Sequence, residues 1–330
     1  MRHDPSRHLH RFAPSLLALT LLATASPSLA QSYPSNMIRI VCSGASGTPP
    51  DIISRIVANE VAQSEGWRIL VEDKPGAMQT IGAAEVLKQP ADGYSVLSVS
   101  LPAAVAPFLL SNVDFRLDRD FIPVVKLATA YHVLVVHPAI PANSLPELAA
   151  LLKKSPDKLT FSSGGFGTPA HLAGELFKLQ AGVRSTHVPY QALPQAIGDL
   201  INGTNQYQFI TPLPVLDLIA TGKLRALAVT APSRMAALPE VSTVGEQGFP
   251  DLIVQDFIGL LVKRGTPDDI VMRLNETVNR ALAKPNVREA FAKMAADPAG
   301  GSPAGFAGFL QSQLAYWGKI IADARIKMHE

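Results

Sequence analysis

Apolar positions along the chain alternate between two spacings. Short runs rich in Ile, Val and Leu predict strands at 38–42, 68–72, 95–99, 133–137, 159–162, 186–190, 207–210, 226–230 and 259–262. Helical spacing fills the stretches between them. It also dominates the end of the chain, at 267–283, 287–295 and 303–324, where proline-containing turns separate the segments. Strand and helix in alternation predict an α/β protein with mostly parallel sheets flanked by helices.

One loop occurs twice. Ser43-Gly44-Ala45-Ser46-Gly47-Thr48-Pro49 and Ser163-Gly164-Gly165-Phe166-Gly167-Thr168-Pro169 share the pattern S-G-x-x-G-T-P at an offset of 120 residues. Each copy follows an apolar strand and precedes an amphipathic segment, marked by Ile52, Ile53, Ile56 and Val57 in the first and Leu172, Ala173, Leu176 and Phe177 in the second. A single copy would be read as a tight turn packing helix on sheet. Two matched copies predict two similar lobes facing each other across a cleft, where small molecules commonly bind.

The residue types at this spacing point to anion binding. Thr48 and Thr168 stand where an N-cap belongs, and Pro49 and Pro169 take the first helical position, where a missing N–H costs nothing. The first turn of a helix leaves N–H groups without intrahelical partners, and the macrodipole adds partial positive charge there. Glycines just before that turn let consecutive N–H groups face one concavity. A carboxylate satisfies such a site without any Arg or Lys.

Charge and composition fit that picture. Of 330 residues 47% are hydrophobic and 17% charged, enough apolar material for well-buried cores. Residues 1–30 read as a secretory signal: Arg2, Arg7 and Arg11 lead into an apolar run over 16–23, and Ser28-Leu29-Ala30 offers a cleavage site after Ala30. That run is too short to span a bilayer comfortably. Removing the leader takes away three Arg and Asp4, and the mature chain is left neutral, with 26 basic and 26 acidic residues. No basic stripe argues for nucleic acid. The single cysteine, Cys42, excludes an internal disulfide and reads as a small buried strand residue.

Catalytic motifs are incomplete. Gly44-Ala45-Ser46-Gly47-Thr48 misses a G-x-S-x-G nucleophile elbow at its last position, and neither glycine run continues into a P-loop. His171 and Glu175 lie four apart on a helix but lack a third metal ligand, so helix packing is the better account of them. His132, His137 and His187 stand alone beside strand patterns, and Asn202-Gly203-Thr204, a formal glycosylation acceptor, is assigned no role. The competing functional class is a secreted serine hydrolase acting on small esters or amides through Ser46 or Ser163 and a distant histidine.

A series of ordered motifs adds a family resemblance. Tyr33-Pro34, Pro50-Asp51-Ile52, Glu72-Asp73-Lys74-Pro75-Gly76-Ala77 with Ile81-Gly82, and Ala91-Asp92-Gly93-Tyr94 come first. Asp120-Phe121-Ile122-Pro123, the run from Gly167 to Glu175, His187-Val188-Pro189-Tyr190, the run from Gly222 to Val229, and Ala237-Leu238-Pro239-Glu240-Val241 follow. Across nearly all of the mature chain this set resembles the Bug family, the extracytoplasmic solute receptors of tripartite tricarboxylate transport systems. The resemblance implies a two-lobed type II periplasmic binding protein fold, with lobe 1 from 31–128 and 232–330 and lobe 2 from 129–231. The crossings that form its hinge fall near 126–130 and 230–234. It further implies a periplasmic monomer that needs no cofactor or metal. The protein would close around a small carboxylate, a di- or tricarboxylate or an aromatic acid, and pass it to membrane permease components or to a sensor protein.

In the family the ligand carboxylates are held by backbone and hydroxyl groups of the two loops, often with ordered water. By position, that role falls to Ser43, Gly44, Ala45, Ser46, Gly47 and Thr48, and to Ser163, Gly164, Gly165, Phe166, Gly167 and Thr168. Ser100, Met78 and Thr211 are further candidates. Three departures stand out: an unusual first loop, Met78-Gln79 where relatives commonly have two glycines, and Ile210-Thr211 where amino-acid-binding relatives often carry Asp. The last speaks against an ammonium-bearing ligand. Phe166, Met78 and Ile210 would suit an aromatic or branched carboxylate, unless Phe166 faces solvent or packs on its own loop.

Overall fold

Both copies of the repeated loop leave the end of a strand and enter a helix. The structure, a computed structural model, describes residues 33–326, and the expected leader, with its cleavage after Ala30, lies outside them. The first strands and helices are β1 (Ile38–Cys42), α1 (Pro49–Glu65), β2 (Ile69–Asp73), α2 (Thr80–Leu87), β3 (Ser95–Val99), α3 (Leu101–Leu109) and α4 (Leu117–Asp120). The middle of the chain holds β4 (Phe121–Tyr131), β5 (Val133–Val136), α5 (Leu145–Lys154), β6 (Thr160–Ser163), α6 (Pro169–Ala181), β7 (Thr186–Pro189), α7 (Leu193–Ile201), β8 (Tyr207–Ile210), α8 (Leu216–Ala220) and β9 (Arg225–Val229). The chain ends with β10 (Gln255–Lys263), α9 (Asp268–Leu282), α10 (Pro285–Lys293), β11 (Ala296–Gly300) and α11 (Pro303–Asp323).

Two sheets result. One has the order β11-β4-β10-β3-β1-β2 and draws on both ends of the chain; the other, β7-β6-β8-β5-β9, comes wholly from the middle. Four pairings are parallel and five antiparallel, so the sheets are mixed where mostly parallel ones were expected. The reversal comes from β4, β5 and β10. The chain leaves the first sheet through β4, enters the second directly as β5, and returns as β10, so these strands run against their neighbours.

The sequence pattern hid β4 and β11. Polar residues and Pro123 interrupt the apolar run of β4, and a proline within a ladder is tolerated only at an edge or irregularity. Here the register against β10 slips between Leu260 and Leu261, which pair with Val125 and Pro123. β11, with Pro298 and Gly300, is an edge strand beside β4.

Apolar clusters cover both faces of both sheets. One face of the first sheet packs on α1, α9 and α10 through residues such as Ile53, Val57, Leu274 and Phe291. A larger cluster runs from the other face of that sheet, under Phe306 and Trp317 of α11, to Phe161 and Phe177 in the second sheet's layer. The last, around Val133, Leu200 and Ile210, fills the remaining face. Cys42 is fully buried in β1, and burial pushes its thiol pKa up to about 12, which leaves it inert. No helix among the described residues is long and apolar enough to cross a membrane.

Candidate functional site

The repeat at 120 residues is repeated in hydrogen bonds. Thr48 Oγ1 donates to the Ala45 carbonyl at 2.6 Å, and Thr168 Oγ1 donates to the Gly165 carbonyl at 2.7 Å. Gly47 N–H donates to Asp51 Oδ2 at 2.8 Å, and Gly167 N–H donates to His171 Nδ1 at 3.2 Å. Both glycines have positive φ, 77° and 70°, a conformation that only glycine adopts cheaply. Each loop is thus folded back on the first turn of its own helix. The copies differ at the cap. Thr168 accepts the His171 N–H at 3.4 Å, whereas Thr48 makes no side-chain cap bond.

The two loops and the start of α3 converge on one cleft of about 330 Å³. From the first sheet's side come Ser43, Gly44, Ala45, Thr48, Met78 and Ser100; from the second come Gly164, Phe166 and Thr168. Among the described residues, no acceptor takes the N–H groups of Gly44, Ala45, Gly164, Phe166 and Thr168. These are the donors that a bound anion would use. The wall has no Lys or Arg.

Six candidate residues do not line the cleft. Ser46 is exposed and lies outside the lining, Gly47 and Gly167 are tied to the side chains of Asp51 and His171, and Gly165 gives its N–H to Ser163 Oγ at 3.1 Å. Ser163 is fully buried beneath its loop, and Thr211 with its neighbour Ile210 belongs to the end of β8, outside the lining.

Two lining residues with polar side chains, Gln79 and Asp256, were not read from the sequence as site residues. Gln79 closes a run of three non-glycine residues in left-handed conformation, with Ala77, Met78 and Gln79 at φ 43°, 54° and 70°. Its Oε1 accepts from Ser43 Oγ at 3.0 Å and from the Ser100 N–H at 2.9 Å, while Nε2 donates to Ser100 Oγ at 2.6 Å. Gln79 therefore fixes the floor of the cleft. Its signal was present, since the pair at 78–79 departs from the glycines of relatives, but only Met78 was singled out. Met78 reaches across the cleft, where its Cε would lie 2.0 Å from a Cβ added to Gly167. Asp256, at the start of β10, is the other missed residue; the predicted strand began only at 259.

Behind the second loop, Ser163 Oγ and His187 Nε2 lie 2.7 Å apart, a pairing the hydrolase reading would need. His187 Nδ1, however, is buried with no partner, so nothing orients the ring as a general base. Burial, helped by the charge of Lys178, pushes His187 down to about 4. Burial and then the neighbouring His187 and Lys178 push His171 down to about 3. Both rings are neutral near pH 7. Phe166 packs edge-on against both, with centroids at 5.3 and 5.1 Å, so it braces its own loop as well as lining the cleft. Glu175 is engaged by Lys178 at 2.8 Å, and no grouping of three metal-binding side chains occurs among the described residues.

Residues 53–326 match the sequence profile of the tripartite tricarboxylate transporter family receptor. The chain belongs to this family. The receptor is 31% identical to BugT of Bordetella pertussis over 306 residues, which cover 92% of this chain and 94% of that one. Among solved structures it is similar to Rpa4515 from R. palustris with adipate, at a TM-score of 0.81 and 27% identity over 90% of this chain and all of that one. It is also similar to MatC from Rhodopseudomonas palustris with bound malate, at a TM-score of 0.77 and 27% identity over 88% of this chain and all of that one. Receptors of this family bind solutes and are not enzymes, so the Ser163–His187 pair is structural: it anchors the second loop to β7.

Proposed function

We propose that the receptor works in the periplasm and captures a small carboxylate, a di- or tricarboxylate or an aromatic acid, in the cleft between its two sheets. The observation that carries this reading is the convergence of unsatisfied N–H groups from two loops on a wall without Lys or Arg. Bound adipate and malate in two structural relatives support a carboxylate. A cleft of about 330 Å³ suits a molecule of that size.

In this reading residues 31–128 with 232–330 form one lobe and 129–231 the other. The crossings are stitched together: Thr230 Oγ1 accepts the His132 N–H at 2.9 Å, and the Thr230 N–H donates to the His132 carbonyl at 2.8 Å. Closure about this point would let loop 2 complete a site that loop 1 begins. The closed form is what the permease components of a tripartite transporter, or a sensor protein, would recognise.

A thermal-shift screen of the mature chain against mono-, di- and tricarboxylates, aromatic acids and amino acids tests the function, since ligand raises the melting temperature by mass action. A Cβ at Gly164 meets nothing within 4 Å, so Gly164→Val adds bulk to a residue that lines the cleft where the loop leaves room for it. Gly44 is a poorer test, because its Cβ would meet Thr48 Oγ1 at 2.9 Å. Gly164→Val should leave the unliganded melting temperature unchanged and remove the ligand-induced shift; a full shift in the variant would refute the two-loop site.

A further inference from the structure

Asp256 is the single ionisable side chain among the described residues lining the cleft. It is 8% exposed. Its Oδ1 accepts the Leu101 N–H at 3.2 Å and the Phe257 N–H at 2.8 Å, while its Oδ2 accepts from no described residue. Burial pushes the carboxyl up to about 6 against the pull of those two donors, and no cation acts on it. Oδ2 is not enclosed by the protein: it opens on the solvent of the cleft as an acceptor without a protein donor, available to whatever displaces that solvent.

Capping of α3 explains Oδ1, which sits on the first N–H of that helix. It leaves Oδ2 unexplained. A plain diacid offers only acceptors at neutral pH and would face this oxygen with repulsion. Resting on the proposed carboxylate receptor, we infer that Asp256 is a specificity-determining residue that accepts a hydrogen bond from a donor group, hydroxyl or ammonium, carried by the ligand beside its carboxylate. The loop N–H groups hold the carboxylate and Asp256 reads the substituent next to it. The missing Asp at 210–211 spoke against an ammonium; Asp256 supplies a carboxylate from a different strand.

The test is calorimetric binding to the mature chain of matched triplets that differ only in that substituent: succinate, malate and aspartate; adipate, 2-hydroxyadipate and 2-aminoadipate; phenylacetate, mandelate and phenylglycine. In the triplet that binds, the donor-bearing member should bind roughly tenfold or more tightly than the unsubstituted acid, as expected for a charge-assisted hydrogen bond. Whether the hydroxyl or the amino acid is favoured identifies the donor. Asp256→Asn keeps an oxygen for the Leu101 and Phe257 N–H groups but turns the other position into a donor, and it should reduce that preference to near unity. Equal affinities within the triplet for the parent chain, or a variant that weakens all members by one factor as a capping role would, overturn the assignment while leaving the carboxylate receptor intact. If no carboxylate binds, the receptor reading and this assignment fall together.

Discussion

At the scale of single residues, the cleft floor depends on a strained turn. Left-handed backbone costs a non-glycine residue about 1 kcal/mol or more, and Ala77, Met78 and Gln79 adopt it in succession. The compensation is the Gln79 amide, whose three hydrogen bonds join Ser43 to Ser100. Replacing Gln79 with Ala keeps the strain and leaves the Ser100 N–H without its acceptor, a loss of about 1–3 kcal/mol by the usual cost of unpaired buried groups. Replacing it with Gly removes the same bonds but relieves the backbone. Gln79→Gly should therefore be the more stable of the two by about 1 kcal/mol, the reverse of the usual order for these residues in a helix. Urea unfolding of both variants decides this; equal stability would mean the turn opens once the amide is gone.

At the scale of elements, the two copies of the loop share a fold but not a cap. Thr168 both donates to its loop and accepts from the first turn of α6, while Thr48 only donates. Thr168→Val should cost about 1 kcal/mol more than Thr48→Val, the worth of an N-cap bond, as measured by chemical denaturation. Similar losses in both would show that the loop-closing bond, not the cap, sets the stability. The loops were legible in the sequence because their residues are dictated locally: glycine for positive φ, threonine and proline for the helix start. β1, β3 and β8 were legible for the same reason, as short runs dominated by apolar residues with only Arg39, Ser98 and Gln208 inside them. β4 was not, since Pro123, Lys126 and Thr129 break its pattern and its pairing depends on β10, more than a hundred residues away. Asp256 was hidden with it. A polar residue at the start of a run reads as loop until the strand is seen to extend through it, and only tertiary packing brings it to the start of α3.

At the scale of the whole molecule, buried ionisable groups set opposing responses to acid. Burial lowers His132 and His187 to about 4 and His171 to about 3, while their unfolded values lie near 6.5. The unfolded chain therefore binds more protons between those limits, and the stability these three contribute falls as pH drops from about 6.5 towards 4. Asp256 works in the other direction. With a folded value raised to about 6, it is most stabilising when protonated at low pH, and that contribution is lost as pH rises through 6. Three groups outweigh one, so the melting temperature of the ligand-free receptor should fall on acidification from pH 7 to pH 4. Asp256→Asn removes the opposing contribution. It should melt above the parent chain at pH 7.5, where a buried charge has been deleted, and the gap should close as pH approaches 4, which makes the acid slope of the variant the steeper one. Melting curves of both proteins across that range test the argument. A gap that stays constant with pH would mean that Asp256 titrates as a solvated carboxylate and that its free oxygen is already satisfied by water.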